Sequence, residues 1–209
     1  SVRSKSSECR WKAAEPLGHL GHSRHVPLLI DALKDDEGAL WRTVSWALAE
    51  LGDRSAIPAL ASVLADKDAS PRYEVAVALC LLGDPKGIPG ITNNLVSDDC
   101  EQLGNLGRNC AVMIGLPTAE ARDALAYMQK GAEPAISNLV SRGMAGEGPA
   151  ALIPLFQDPS FGYSAVDAMM YFNEPRAIPA LEAVCKDESQ SMRHAARLAI
   201  RRIQRRELE

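Results

Sequence analysis

The stretch "DRSAIPALASVLADKDASPRYEVAVALCLLG", residues 53–83, decides how this chain folds, because it is one period of a repeat. Its closing part, "PRYEVAVALCLLG" (71–83), lines up with "LWRTVSWALAELG" (40–52) and "CRWKAAEPLGHLG" (9–21) at a constant offset of 31 residues. Its opening part has counterparts in "HSRHVPLLIDALKDD" (22–36) and "DPKGIPGITNNLVSDD" (84–99), with Pro27, Pro58 and Pro89 in register. Self-similarity at this period is the signature of stacked supersecondary units.

Each unit reads as two helices. In the first, Ile57, Leu60, Val63 and Leu64 form one apolar stripe, and the proline sits in the first turn, where its missing N–H costs nothing. In the second, Leu40, Val44, Leu48 and Leu51 recur at the spacing of a single helical stripe. The Asp-rich stretch between the two places carboxylates at a helix N-terminus. Gly52 and Gly83 are expected to end the second helices in the left-handed conformation. Neither helix can bury its stripe alone, but side-by-side pairs bury a continuous core, so the expected fold is all-α, an α-solenoid of antiparallel helix pairs.

Beyond residue 99 the strict period fails and the pattern persists in weaker form. "LGRNCAVMIGL" reads as a second helix, and "TAEARDALAYMQK" with "EPAISNLVSRGMA" as a further pair. "GPAALIPLFQD" with "SAVDAMMYF", then "EPRAIPALEAVCKDE" with "SMRHAARLAIRRIQ", complete the array. The expectation is about thirteen helices in one domain over 1–209: regular repeats at 9–99, degenerate ones at 100–173, and a regular C-terminal repeat at 174–209. "MAGEGPA" (144–150) is the Gly-rich joint where a bend is expected.

Composition agrees. Of 209 residues 46% are hydrophobic but only 5% aromatic, which favours close-packed helices over a sheet. A formal charge of −4 gives no pull toward nucleic acid or an anionic membrane. No apolar run reaches the roughly 18 residues of a membrane span. The polar start "SVRSKSSECR" is not read as a signal peptide, and its lack of an initiator Met suggests a processed start. Cys9, Cys80, Cys100, Cys110 and Cys185 form no C-x-x-C pair and read as free thiols of a cytoplasmic protein.

These motifs resemble the HEAT repeats of the phycobilisome-lyase-like type, whose unit reads D-x-x-A-[IV]-P-x-L-x-x-x-L-x-D followed by V-R-x-x-A-[AV]-x-A-L-x-x-[LI]-G. The resemblance covers the whole chain, with residues 53–83 and "EPRAIPALEAVCKDESQSMRHAARLAI" as its best copies. It implies a right-handed superhelix whose second helices line a concave face, and it specifies fold far better than task. Among enzymes with similar repeats, the deoxyhypusine hydroxylases hold iron with His-Glu pairs at the start of second helices. The corresponding positions here are Tyr73-Glu74, His194-Ala195, Trp11-Lys12 and Arg42-Thr43, so no copy keeps a pair and that activity is not expected. The bilin lyases supply the alternative function, as chromophore-handling, chaperone-like proteins. Helical-repeat DNA glycosylases would want a basic concave groove with aromatics; the arginines of "RHAARLAIRRIQRRELE" read instead as a polar cap complementing a helix C-terminus. No catalytic triad, phosphate loop, cofactor or metal site is expected.

The repeat register also sorts the second-helix positions that lie off the apolar stripe. They form the ladders Arg10–Trp41–Arg72, Trp11–Arg42–Tyr73, Glu15–Trp46–Val77 and His19–Glu50–Leu81. All three tryptophans thus fall at positions usually polar in such a repeat. Trp11, Glu15, Trp41, Arg42, Trp46 and Tyr73 are the candidate partner-binding patch, since Trp, Tyr and Arg dominate binding hot spots. The competing account buries some of them as ordinary core. Arg10, Arg72 and Arg193 hold the repeat's usual arginine position and are expected to pair with turn aspartates such as Asp66 or Asp187. In "GHLGHSRH", His22 replaces the turn Asp of 53 and 84, and His25 replaces Ala56 or Gly87. With His19 they are read as solvated residues around a turn rather than metal ligands. The expected function is a non-catalytic scaffold that binds another protein.

Overall fold

The computed structural model describes residues 12–14, 16–18, 22–33, 38–65, 72–95, 103–130, 134–159 and 161–206, and these are helical with no strand among them. The chain divides into two compact units, residues 1–96 and 97–209. The division falls where the 31-residue period fails, whereas the Gly-rich joint lies inside the second unit.

The first unit contains α1 (Val26–Ala32), α2 (Gly38–Leu51), α3 (Ile57–Ala65), α4 (Arg72–Leu81) and α5 (Ile88–Leu95). The first helices α1, α3 and α5 are each entered through a one-turn 3-10 segment, Ser23–His25, Arg54–Ala56 and Pro85–Gly87. Ahead of two of these turns a carboxylate fixes the chain: Asp53 accepts from the Ser55 N–H and Asp84 from the Lys86 N–H, both at 2.9 Å. Pro27, Pro58 and Pro89 follow in the first helical turn as expected. The second helices α2 and α4 end as the sequence indicates, with Gly52 at φ 70° and Gly83 at φ 83°. At Gly83 the Asp84 N–H reaches Leu79 O and the Gly83 N–H reaches Cys80 O, both at 2.9 Å, closing two orphan carbonyls.

Helix α4 packs on α2, α3 and α5. Its residues Val75, Ala76, Val77, Ala78, Leu79 and Cys80 are all buried, so the helix is enclosed on every side rather than along one stripe. Val77, off the apolar stripe by register, is therefore buried with the rest. The turn 85–87 lies so close to α4 that a Cβ on Gly87 would stand 2.1 Å from the Ala76 carbonyl oxygen and 2.7 Å from Cys80 Sγ.

The second unit contains α6 (Leu103–Ile114), α7 (Ala119–Met128), α8 (Pro134–Arg142), α9 (Gly162–Ala168), α10 (Ile178–Val184) and α11 (Gln190–Arg206). Between α8 and α9 the chain forms a π-turn at Gly143–Glu147 and a 3-10 run at Gly148–Gln157. Gly146 at φ 90° and Gly148 at φ 57° make the bend expected of "MAGEGPA". The run 148–157 was expected as an α-helix; Pro154 inside it denies that geometry an i→i−4 bond. The segment 118–145 was expected as a repeat of its own. Instead α6 packs directly on α9 as well as on α7 and α8, so the intervening pair adds no separate second-helix layer. The last repeat is regular: the turn Pro175–Ala177 leads into α10, with Glu174 in the carboxylate position, and α11 packs on α9 and α10. Within each unit, helix pairs stack as an α-solenoid requires.

Candidate interaction surface

The two neighbouring second helices of the first unit carry what can be seen of the patch, and Trp41 is not part of its open face. Its side chain is only 7% exposed, and its indole N–H donates to the Leu33 carbonyl at 3.0 Å. Leu33 terminates α1, so Trp41 satisfies a carbonyl that the helix end leaves without an internal partner. The last repeat shows the same device with different chemistry. Arg193, at the equivalent position, donates through Nη1 to the carbonyls of Asp187 and Glu188, both at 2.7 Å. This corrects the expected carboxylate pairing: the Asp187 side chain accepts instead from the Ser189 N–H at 2.8 Å. Trp41 and Arg193 thus both donate to backbone carbonyls ahead of their own helices, at a helix end in the first case and in the inter-helix turn in the second.

Arg42 and Trp46 are four residues apart on α2 and so share a helix face. The Arg42 side chain is 64% exposed, and its Nε lies 3.3 Å from Oε1 of Glu74, which is 18% exposed. This ion pair links α2 to α4 across adjacent repeats. At that exposure it contributes little stability, about 0–1 kcal/mol. Trp46 and Tyr73 are half-buried. The structure thus joins Arg42 to Glu74 on neighbouring helices, removes Trp41 to the packing, and buries Val77 at the next rung. Trp11 and Glu15 lie outside the described residues. Register alone does not pair Glu74 with Arg42, because it compares equivalent positions and these two are not equivalent.

A similar link joins neighbouring second helices in the other unit. Arg108 on α6 lies 3.4 Å from Asp167 on α9. Burial pushes the Asp167 carboxyl above its ordinary pKa, against the pull of the Arg108 and Arg202 charges. Tyr163, one turn before Asp167, is 47% exposed, and burial of its ring-OH region raises its pKa.

The histidine stretch resolves differently from expectation at one position. His22 precedes the 3-10 turn without the side-chain bond that Asp53 and Asp84 make. His22 and His25 rings meet edge to face, with centroids 5.7 Å apart. His25 is half-buried rather than solvated, and its Nδ1 is buried without a hydrogen-bond partner. The reason is positional, since the equivalent Ala56 and Gly87 are wholly buried. His19 lies outside the described residues. Among the described residues, no three His, Cys, Asp or Glu side chains converge as metal ligands would. Cys80 and Cys110 are buried free thiols pushed up to about 12, so neither is a thiolate nucleophile near neutrality. Among the described residues, no helix is long and apolar enough to cross a membrane.

Residues 2–80 match the family model described as HEAT repeats. No curated protein matches the chain. Among solved structures, human deoxyhypusine hydroxylase in complex with glycerol is 18% identical, covering 97% of this chain and 92% of that one at a TM-score of 0.36. Two engineered proteins are 17% and 16% identical, covering 98% of this chain and 94% and 96% of theirs, each at a TM-score of 0.37. These likenesses carry no inference about activity.

Proposed function

We propose that this chain, a HEAT-repeat protein, is a non-catalytic scaffold that binds another protein through the second-helix face of its first unit. HEAT repeats generally mediate protein–protein contact. The observation that carries the reading is the exposed Arg42, paired with Glu74, with the half-buried Trp46 one turn along its helix and Tyr73 next to Glu74 in sequence. Half-open aromatic side chains together with a guanidinium are the composition of a binding hot spot. A guanidinium already paired on one edge still presents donors to a partner's carboxylate or carbonyl. Trp11 and Glu15 extend the same register positions one repeat toward the N-terminus. The scattered free thiols support a reducing, cytoplasmic setting.

The test is to replace Arg42 and Trp46 by alanine, with thermal melting as the control for folding. Loss of partner capture at near-unchanged melting is the expected result. A collapse of melting with capture unaltered would make both residues structural and overturn the reading. Titration with bilins addresses the lyase alternative: specific binding followed by transfer to an acceptor cysteine would replace the scaffold reading.

A further inference from the structure

Helix α11 carries Arg193, Arg197, Arg201, Arg202, Arg205 and Arg206, with His194 and no acidic residue. Its inward face is Ala195, Ala196, Ala199 and Ile203, all buried. On the opposite face His194, Arg197, Arg201 and Arg205 are exposed at helical spacing. Arg202 lies to one side, where its charge acts on the buried Asp167 of α9. Arg197 and Arg201 form no ion pair or hydrogen bond among the described residues. The attraction of a helix C-terminus for cations falls off within the last turn. It accounts for Arg205 and Arg206, and not for Arg197 and Arg201 further back. A solvated cap needs polar residues but not one sign of charge, least of all in a chain of net charge −4.

We propose that the outer face of α11, centred on Arg197 and Arg201, docks a carboxylate-rich helix of a protein partner. The two guanidinium stems, four residues apart, rise by about 6 Å along the helix. Glutamates four residues apart on a facing helix repeat at the same interval, so each planar fork meets one carboxylate. Nucleic acid fits less well. Single-stranded sites combine positive charge with stacking aromatics, and α11 has none. The rest of the chain is acidic and repels a polyanion that runs beyond the helix. This helix belongs to the second unit and the Arg42–Trp46 patch to the first, so either assignment can fail without the other.

The experiment uses the full chain and an alanine-based helical peptide with glutamate at every fourth position. A glutamine version of the peptide and a mixed-sequence DNA duplex are the comparison probes. The glutamate peptide is expected to bind, to weaken as salt rises, and to lose at least about tenfold in affinity to R197E/R201E while melting stays unchanged. R197Q/R201Q keeps the test valid if charge reversal disturbs folding, and should lose less. Equal binding of the glutamine peptide, insensitivity to both double variants, or tighter binding of the duplex would each overturn the proposal.

Discussion

Replacing Trp41 tests the division between framework and binding face most sharply. The side chain is 7% exposed and its indole N–H is bonded to Leu33 O, a carbonyl at the end of α1. Truncation to alanine removes a large buried aromatic, a change that costs about 3–5 kcal/mol. The Trp41→Phe variant separates the two contributions. It keeps most of the ring packing but strands the Leu33 carbonyl, for a loss of about 1–3 kcal/mol. Trp41→Arg introduces the residue found at the equivalent position 193, where guanidinium donors reach turn carbonyls, and so should lose less than the alanine variant. In a unit of this size each kcal/mol lowers Tm by roughly 4–8 °C. The assay is urea unfolding followed by far-UV circular dichroism, because fluorescence would change with the substitution itself. Trp46→Ala, at a half-buried site, should cost clearly less. If Trp41→Phe matched the parent chain, or Trp41→Ala cost no more than Trp46→Ala, the account of Trp41 as a buried donor to Leu33 would be wrong.

Three other outcomes are expected. Gly87→Ala should destabilise by about 1–3 kcal/mol, because the new methyl meets the Ala76 carbonyl at 2.1 Å; adding Cys80→Ala should not restore the melting temperature, since the closest atom is backbone. His22→Asp supplies the turn carboxylate present at 53 and 84 and should raise stability by about 1 kcal/mol in chemical denaturation. The Arg176 hydrogen bond and charge hold the Glu174 carboxyl below its ordinary value, so its stabilisation is present above pH 4.5 and fades as pH falls through the lowered value. Acid unfolding of Glu174→Gln should accordingly begin from a less stable protein at neutral pH and show a shallower loss below pH 4.5.

The sequence by itself determined the repeat, the helix boundaries of the regular copies, the prolines of the first turns and the glycines at Gly52 and Gly83. These follow from local chemistry: a period-3.6 stripe, a fixed proline φ and a left-handed cap are all written within one unit. It also placed Arg42, Trp46 and Tyr73 at positions off the apolar stripe, because register compares like positions. Tertiary structure decided what register cannot express, namely what each position faces. Trp41 turned inward because a nearby carbonyl needed a donor, and indole N–H could supply it as arginine does elsewhere. Val77 closed over because α4 has helices on more than one side, and His25 sank because its slot is a buried one. Arg42 gained its ion pair only when folding placed Glu74, 32 residues away in the chain, on the neighbouring helix. Side-chain exposure depends on neighbours distant in sequence, and that is why burial at each register position was decided only once the pairs had stacked.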